Sequence, residues 1–215
     1  NTYTIDSARV VNGTLAVQGS LNAPALIVEP EGVVKGCGTI MAAGTINGTL
    51  KPGNSIGTIN LVGDQVFGST FVLENEINQT ETDLVNITGM LTIDPGAAVS
   101  VIPLISNFTV PTTYTIIQTT AGVSGTFSSV NNPSLFYSSS LIYNPLTVQL
   151  TLDSIGFSQI VTAGNAGVVA NYLDSLNIQP GSDLAAVFNA LRQLTTQEAL
   201  ENALFQLQPS PLKGL

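Results

Sequence analysis

The stretch Gly53-Asn54-Ser55-Ile56-Gly57 matches the G-x-S-x-G pattern that surrounds the nucleophilic serine of many hydrolases. That chemistry needs a base to take the serine proton, normally a histidine that a carboxylate orients. The chain contains no histidine, so it cannot supply a complete Ser-His-Asp triad. A pair between Ser55 and Lys51 is conceivable, but Lys51 lies in the same short segment and no supporting residues are visible. The preceding Pro52 favours a tight turn over a catalytic serine.

Three pairs of acidic residues spaced two apart are the next candidates for chemistry. Such spacing places both carboxylates on one face of a strand, within reach of a metal ion or a glycosidic bond. A sugar-cleaving site also needs basic or aromatic groups, whereas the chain has five basic residues and no tryptophan. We therefore predict that these acids are solvated and that the chain has no catalytic, metal-binding or cofactor-binding residues. The pairs are Glu29/Glu31, Glu74/Glu76 and Glu81/Asp83.

Cys37 is the single cysteine of the chain, so neither an internal disulfide nor a Cys/His zinc cluster can form. It lies between two glycines in a strand-like stretch, and we predict a packed, unreactive thiol because free cysteine is often buried. Two further motifs are weak. Gly164-Asn165-Ala166-Gly167 lacks phosphate-binding spacing, and chance explains most of the Asn-x-Thr sequons, which begin at Asn12, Asn47, Asn78, Asn86 and Asn107.

Composition limits the class of protein. Charged residues make up 9% of the 215 residues and apolar residues 44%, so the chain should fold with a surface rich in Thr, Ser, Asn and Gln. The net charge of −9 gives no electrostatic footprint for nucleic acid or for an anionic membrane. No stretch approaches the roughly 20 apolar residues of a spanning helix, and no signal peptide is visible. If the protein is exported, we expect an internal piece of a longer precursor.

Short apolar runs punctuated by glycine, asparagine and proline dominate residues 1–65. The clearest self-similarity is in Gly44–Gly63, where runs that begin Gly-Thr recur at close spacing. Strands this short are unstable as isolated hairpins, but they can pair between stacked coils of roughly twenty residues. The pattern favours a mainly β fold, a right-handed parallel β-helix, with a β-sandwich as the second choice.

Residues 66–152 carry longer runs, several of which alternate in polarity, as Phe71 and Leu73 or Val99 and Val101 do. This predicts the last coils of the β-helix, with hairpins that cover its open end. Some cap is physically required, because an unpaired strand edge invites aggregation.

A helical period begins near residue 156, and we predict an α-helical segment over 153–215. Val169, Tyr172, Leu173 and Leu176 share one face of the first helix. Leu184, Val187, Phe188, Leu191 and Leu194 form the face of the second, after the break at Pro180-Gly181. Thr195 and Glu198 predict a capping box for a third helix, with Leu200, Leu204 and Leu207 on one face, that stops near Pro209.

Four stretches, taken together and in this order, resemble the C-terminal passenger region of bacterial autotransporters, the proteins of type V secretion. The first is Gly44–Gly63, and the second is Thr82–Gly89, which is similar to a Ser-Asp-x-Leu-x-Val-x-Gly signature. The third is Tyr114–Ile117 followed by Gly122–Phe127, which resembles Tyr-x-Leu-Leu…Gly-x-Phe. The fourth is Leu191–Pro209, which resembles the helical linker before the membrane barrel.

The resemblance implies a structural role at the bacterial outer membrane and cell surface. In that family such a segment is an autochaperone, which folds first outside the cell and templates the passenger coil by coil. The implied partners are the protein's own C-terminal outer-membrane β-barrel and the upstream passenger, and the expectation is that the chain is not an enzyme. The alternatives are a surface adhesin that binds glycans, a host surface or another copy, and, less favoured, a β-helix that cleaves polysaccharides.

Overall fold

The computed structural model describes residues 1–179 and 181–207, and it shows a mainly β chain with helices toward its C-terminal end. The predicted fold class is confirmed at that level. The sixteen strands are β1 (Thr2–Thr4), β2 (Ala8–Ala16), β3 (Ser20–Gly36), β4 (Thr39–Ile46), β5 (Thr49–Pro52), β6 (Thr58–Val62), β7 (Gln65–Phe67), β8 (Val72–Ile77), β9 (Leu84–Thr88), β10 (Met90–Ile93), β11 (Ala98–Pro103), β12 (Thr112–Thr119), β13 (Gly122–Gly125), β14 (Ser129–Val130), β15 (Tyr137–Asn144) and β16 (Thr147–Ser154). The four helices are α1 (Phe157–Ile160), α2 (Gly164–Asp174), α3 (Asp183–Leu191) and α4 (Gln197–Gln206).

The chain divides into two compact units. The first comprises Asn1–Asn131 and Ser139–Leu152, and the second comprises Asn132–Ser138 and the chain from Asp153 onward. Strands dominate the first unit, whereas the four helices belong to the second.

The strands of the described residues belong to a single sheet, and most neighbours in it are parallel. Its longest path runs β14-β11-β8-β5-β3-β4-β6-β9-β12-β16-β15. A strand typically pairs with one that comes a short distance later in the chain, so that β3 pairs with β4, β4 with β6, and β6 with β9. The sheet also has antiparallel pairs, of β12 with β16 and of β15 with β16 across the two-residue connection between Asn144 and Thr147. Most of the short strands therefore gain stability from pairing with successive parts of the chain rather than from local hairpins.

The core of the first unit consists of buried apolar residues stacked in register across these parallel strands. One column joins four strands at Leu21, Ile40, Leu61 and Ile87. Two further columns follow the same rule, at Val34, Leu50, Leu73 and Val99 and at Val28, Ile46, Phe67 and Ile93. Because side chains alternate between the faces of a strand, each buried column leaves polar residues such as Thr39 and Asn60 on the outer face.

The helices of the second unit bury fewer of their periodically spaced apolar side chains than the sequence suggests. In α2 the buried residues are Gly167, Ala170 and Leu173, whereas Tyr172, predicted to be on the buried face, is 64% exposed. A Cβ on Gly167 would come within 2.9 Å of the Thr162 backbone, so close backbone approach selects small residues there. A search for large apolar side chains overlooks such a contact.

Phe157 of α1 is the aromatic centre of the second unit. Its ring meets Phe136 edge-on at 5.5 Å and Phe188 of α3 at 5.2 Å between ring centroids. Asp174, the last residue of α2, accepts hydrogen bonds from the backbone N–H groups of Phe157 and Ser158 at 3.0 and 2.8 Å. This carboxylate satisfies free amides at the start of α1, which a short helix cannot satisfy internally. No helix of the described residues has the length and apolar character needed to cross a membrane.

The third predicted helix is present as α4, but its predicted cap is wrong by one residue. The N-cap is Thr196, whose hydroxyl accepts a hydrogen bond from the Ala199 N–H at 3.2 Å, so the predicted Thr195 and Glu198 capping box does not form. Because Thr195 and Thr196 are adjacent and both suit an N-cap, the sequence pattern does not show which of them is used. The predicted stop near Pro209 and the break residue Pro180 lie outside the described residues.

We expect Thr196→Ala to lower the stability of the helical unit by about 1 kcal/mol, because the Ala199 N–H loses its acceptor. Thr195→Ala is the matched control and should change stability by less than about 0.5 kcal/mol. Helical circular dichroism followed through urea unfolding measures both. Equal effects of the two substitutions would contradict this cap assignment.

Candidate functional site

A polar cleft lies where the bend after β5 faces β8 and the start of β9. Its volume is about 190 Å³. The bend carries the G-x-S-x-G stretch, so the structure brings the serine candidate next to three of the acidic candidates. The residues that line the cleft are Lys35, Lys51, Pro52, Gly53, Asn54, Ser55, Glu74, Glu76 and Asp83.

Two lysines and a glutamate form a row across three neighbouring strands. Lys35 of β3 and Lys51 of β5 are register partners in the parallel pair. The Lys51 ammonium lies 2.6 Å from a carboxylate oxygen of Glu74 on β8. Adjacent lysines repel each other, and Glu74 offsets that repulsion on one side of Lys51. Both side chains of the ion pair are about one-third to two-fifths exposed, so we expect its contribution to stability to be small.

Asp83 is the buried acid of the cleft, with only 1% of the residue exposed. Its two carboxylate oxygens accept hydrogen bonds from the N–H groups of Gly57, at 2.8 Å, and Glu76, at 2.9 Å. Burial raises the pKa of Asp83 from its ordinary 3.8 to about 7, although the two backbone hydrogen bonds act in the opposite direction. The carboxyl group therefore joins the bend after β5 to strand β8, the two walls of the cleft.

The buried side-chain amide of Asn75 forms a hydrogen bond with the backbone of Asp83. Asn75 is fully buried, and its side-chain N–H donates to the Asp83 carbonyl oxygen at 2.9 Å. Its amide oxygen accepts from the Thr82 hydroxyl at 2.7 Å. These two hydrogen bonds hold the chain between β8 and β9 against Asn75 of β8. They also give the buried amide both a donor and an acceptor as partners, which a buried amide needs. Sequence reasoning missed Asn75, and the signal available was an asparagine at an inward position between Leu73 and Ile77.

Ser55 lies exposed on the bend between β5 and β6. Gly53 begins that bend with φ of +86°, a conformation that favours glycine, and a Cβ there would meet the Ser55 carbonyl oxygen at 2.0 Å. The prediction that Pro52 and Gly53 start a sharp change of direction is therefore confirmed. A catalytic lysine must accept the serine proton, whereas the Lys51 ammonium donates to Glu74.

The acidic pairs do not share one environment, and the prediction that all of them are solvated is wrong for Asp83. The chain between β8 and β9 turns Asp83 inward, whereas Glu81 stays exposed and accepts from the Asn78 side chain at 3.1 Å. Glu29 pairs with Arg9 at 2.7 Å on the outer surface. Glu31 is exposed, whereas Glu74 and Glu76 are half-buried along the cleft. Among the described residues, no three His, Cys, Asp or Glu side chains are placed to hold a metal ion.

The remaining candidate residues, namely Cys37, Gly164 and the sequon asparagines, do not line the cleft. The prediction that Cys37 is packed is wrong, because its thiol is exposed. Cys37 lies in the bend between β3 and β4, and the two glycines beside it are buried. Gly164 begins α2. Of the sequon asparagines, the exposed ones are Asn12 and Asn107, and the half-buried ones are Asn47, Asn78 and Asn86.

Comparison with known proteins gives one informative similarity. No protein-family model matches this chain. An extracellular serine protease of Serratia marcescens is 30% identical to it over 191 residues, which is 82% of this chain. The chain spans only 18% of the length of that protease.

This similarity corrects the expectation that the chain is not an enzyme. The similar protein is named as an enzyme, and the expectation is therefore contradicted. The name also describes an extracellular protein, which supports the predicted setting outside the cell.

Proposed function

We propose that the chain is the scaffold and folding segment of a longer secreted protein of the autotransporter type. The observation that carries the proposal is the register of the buried columns, in which Ile40 contacts a residue of the preceding coil and of the following coil. Each coil of such a stack is stabilised mainly by its neighbours, so a folded coil templates the next one. We interpret the three columns as the three faces of a right-handed parallel β-helix.

In this proposal, three consecutive segments of the chain have three different roles. Residues 1–65 form the last regular coils, residues 66–152 the folding nucleus and cap, and residues 153–215 the linker to an outer-membrane β-barrel. Two features favour residues 66–152 as the nucleus. Phe67 and Phe71 stack at 3.9 Å between ring centroids, with Phe127 within 6.4 Å of both. The antiparallel pairing of β12 with β16 covers the outer edge of β12, which would otherwise be open to another chain.

The longer protein, in this proposal, is a cell-surface or secreted serine protease, and this segment carries the scaffold of that enzyme. The similarity to the Serratia protease supports the enzyme class and the extracellular setting. Because the chain has no histidine, a Ser-His-Asp triad of that enzyme would be supplied by other parts of the longer protein. The upstream passenger and the C-terminal barrel are the proposed partners.

Native-state hydrogen exchange tests the folding role on the 215-residue chain. We expect the amides of β8, β9, β11 and β12 to exchange at least about tenfold more slowly than those of β1 and β2, because a nucleus opens last. Limited proteolysis is the second measurement, and cleavage should begin in residues 10–50. Earlier digestion of residues 57–152, or stronger protection of the first two strands, would contradict the nucleus.

A further inference from the structure

We propose that the polar cleft beside β8 binds a single uncharged sugar residue. This inference goes beyond the scaffold function and does not depend on it. The cleft residues come from β3, β5 and β8, from the bend after β5 and from the segment between β8 and β9, so the site exists only in the folded chain.

The first argument is the balance of charge in the cleft. Lys51 and Glu74 neutralise each other at 2.6 Å, and both oxygens of Asp83 already accept backbone hydrogen bonds. Because burial raises the pKa of Asp83 to about 7, its carboxyl group keeps its proton at pH 6, and the charged groups that remain there are the Lys35 ammonium and the Glu76 carboxylate. Neither has an ion-pair partner within 4.0 Å in the described part of the chain. One strong donor and one strong acceptor suit a ligand that carries no net charge and offers hydroxyl groups, which both donate and accept.

The second argument is the chemistry of the other lining groups. Asn54 and Ser55 add an amide NH₂ group and a hydroxyl at the exposed rim of the cleft, while the Asn54 amide oxygen accepts a hydrogen bond from the Gln18 side chain at 3.0 Å. Among the described lining residues, Pro52 alone has an apolar side chain. An apolar side chain or a lipid would gain little by leaving water here, since binding of such ligands depends on apolar contact. A hydroxyl-rich ligand exchanges hydrogen bonds with water for hydrogen bonds with these groups.

The third argument is size. A volume of about 190 Å³ is smaller than the roughly 300–1,000 Å³ of pockets that enclose drug-sized ligands. It corresponds to about six water molecules at roughly 30 Å³ each, the scale of one sugar ring. The cleft is therefore suited to one residue of a glycan, at its end or at a branch.

The fourth argument is the rigidity of the two walls. Asp83 holds the bend through Gly57 and holds β8 through Glu76, with distances of 2.8 and 2.9 Å. Ligand groups thus meet a frame whose backbone is already ordered, which reduces the entropy lost on binding.

The test is an NMR titration of the ¹⁵N-labelled 215-residue chain with methyl β-glucoside, methyl β-galactoside, N-acetylglucosamine, glucuronate and glycine. We expect at least one neutral sugar to shift the amide signals of Asn54, Ser55 and Glu76 with a Kd of about 1–10 mM, typical of a small ligand with few contacts. Glu76→Gln should weaken that binding at least about tenfold, because the carboxylate accepts stronger hydrogen bonds than an amide. Glu31→Gln is the control, since Glu31 is an exposed acid away from the cleft, and it should leave the Kd unchanged.

Three results would overturn the proposal. The first is that none of the neutral sugars shifts these signals up to about 100 mM, which is weaker than any specific site of this kind. The second is that only glucuronate or glycine binds, which would assign the cleft to a charged ligand. The third is that Glu76→Gln, with a spectrum that shows an intact fold, binds as well as the unsubstituted chain.

Discussion

The free energy of unfolding is expected to fall as the pH rises from about 4 to 7, by about 4 kcal/mol from Asp83 alone. The pKa of Asp83 is raised from 3.8 to about 7 in the folded chain, and each unit of difference corresponds to about 1.4 kcal/mol. Below pH 3.8 the carboxyl group is protonated in both states and costs nothing. Between the two values the folded state keeps a proton that the unfolded state has released. Above pH 7 the buried carboxylate is ionised, and its full cost remains.

Asp83→Asn removes this titration and should remove that part of the pH dependence. The asparagine oxygen can replace one carboxylate oxygen, but its NH₂ group cannot accept from the second backbone amide. We therefore expect a loss of about 1–3 kcal/mol at pH 4, where the native acid is neutral, and a smaller loss or a gain at pH 8. Urea unfolding at pH 4, 6 and 8 measures both chains.

Glu81→Gln is the matched control for Asp83, because Glu81 is exposed and only two residues away. It should keep the pH dependence of the unsubstituted chain. If Asp83→Asn also keeps that slope, the titration of Asp83 is not its source, and the burial of this carboxyl group contributes little to stability.

Phe71→Ala is expected to lower the free energy of unfolding of the β unit by about 3–5 kcal/mol. Phe71 has no exposed surface, and its ring stacks on Phe67 at 3.9 Å with an angle of 9° between the planes. Alanine leaves a cavity beside Phe67 and removes the aromatic contact, which adds about 0.5–1.5 kcal/mol to the loss of buried area. Equilibrium urea unfolding followed by circular dichroism measures the change.

Two companion variants make that result specific. Phe71→Leu keeps most of the apolar volume and should cost less than the alanine substitution. Tyr3→Ala is the control at an exposed aromatic residue, 62% accessible on β1, and should stay within about 0.5 kcal/mol. A loss below about 1 kcal/mol for Phe71→Ala would show that the stack does not hold the unit together and would weaken the proposed nucleus.

Local patterns predicted the class of element along most of the chain. Glycine-punctuated β-branched runs predicted a strand-rich first unit but not β1 or β15, and the helical period after residue 156 predicted α2, α3 and α4. The same patterns were off at the cap of α4, where Thr196 rather than Thr195 is used, and at Tyr172 of α2. Those details depend on which neighbouring segments pack against each helix. The 3.6-residue period of apolar residues carries no information about those neighbours.

The cleft also shows what local sequence patterns cannot predict. Most of its residues stood out in the sequence as a serine motif, a nearby lysine or pairs of acids, but Lys35 did not, and no local pattern predicted that these residues meet. Lys51 and Glu74 become an ion pair because Leu50 and Leu73 are register partners in β5 and β8. Register between strands is set by which apolar residues stack in the core, so it decides outer-surface contacts that no local spacing reveals.

The sequence by itself determined the mainly β class, the helical end of the chain and the absence of a self-sufficient histidine triad, because periodicity and residue inventory are local or additive properties. Only the tertiary structure decided that Asp83 is buried, that Cys37 is exposed and that two lysines meet three acids in one cleft. These outcomes depend on contacts between strands that are many residues apart in the chain. The physical reason is that burial and the pKa values that follow from it belong to the packed sheet, and no single strand carries them.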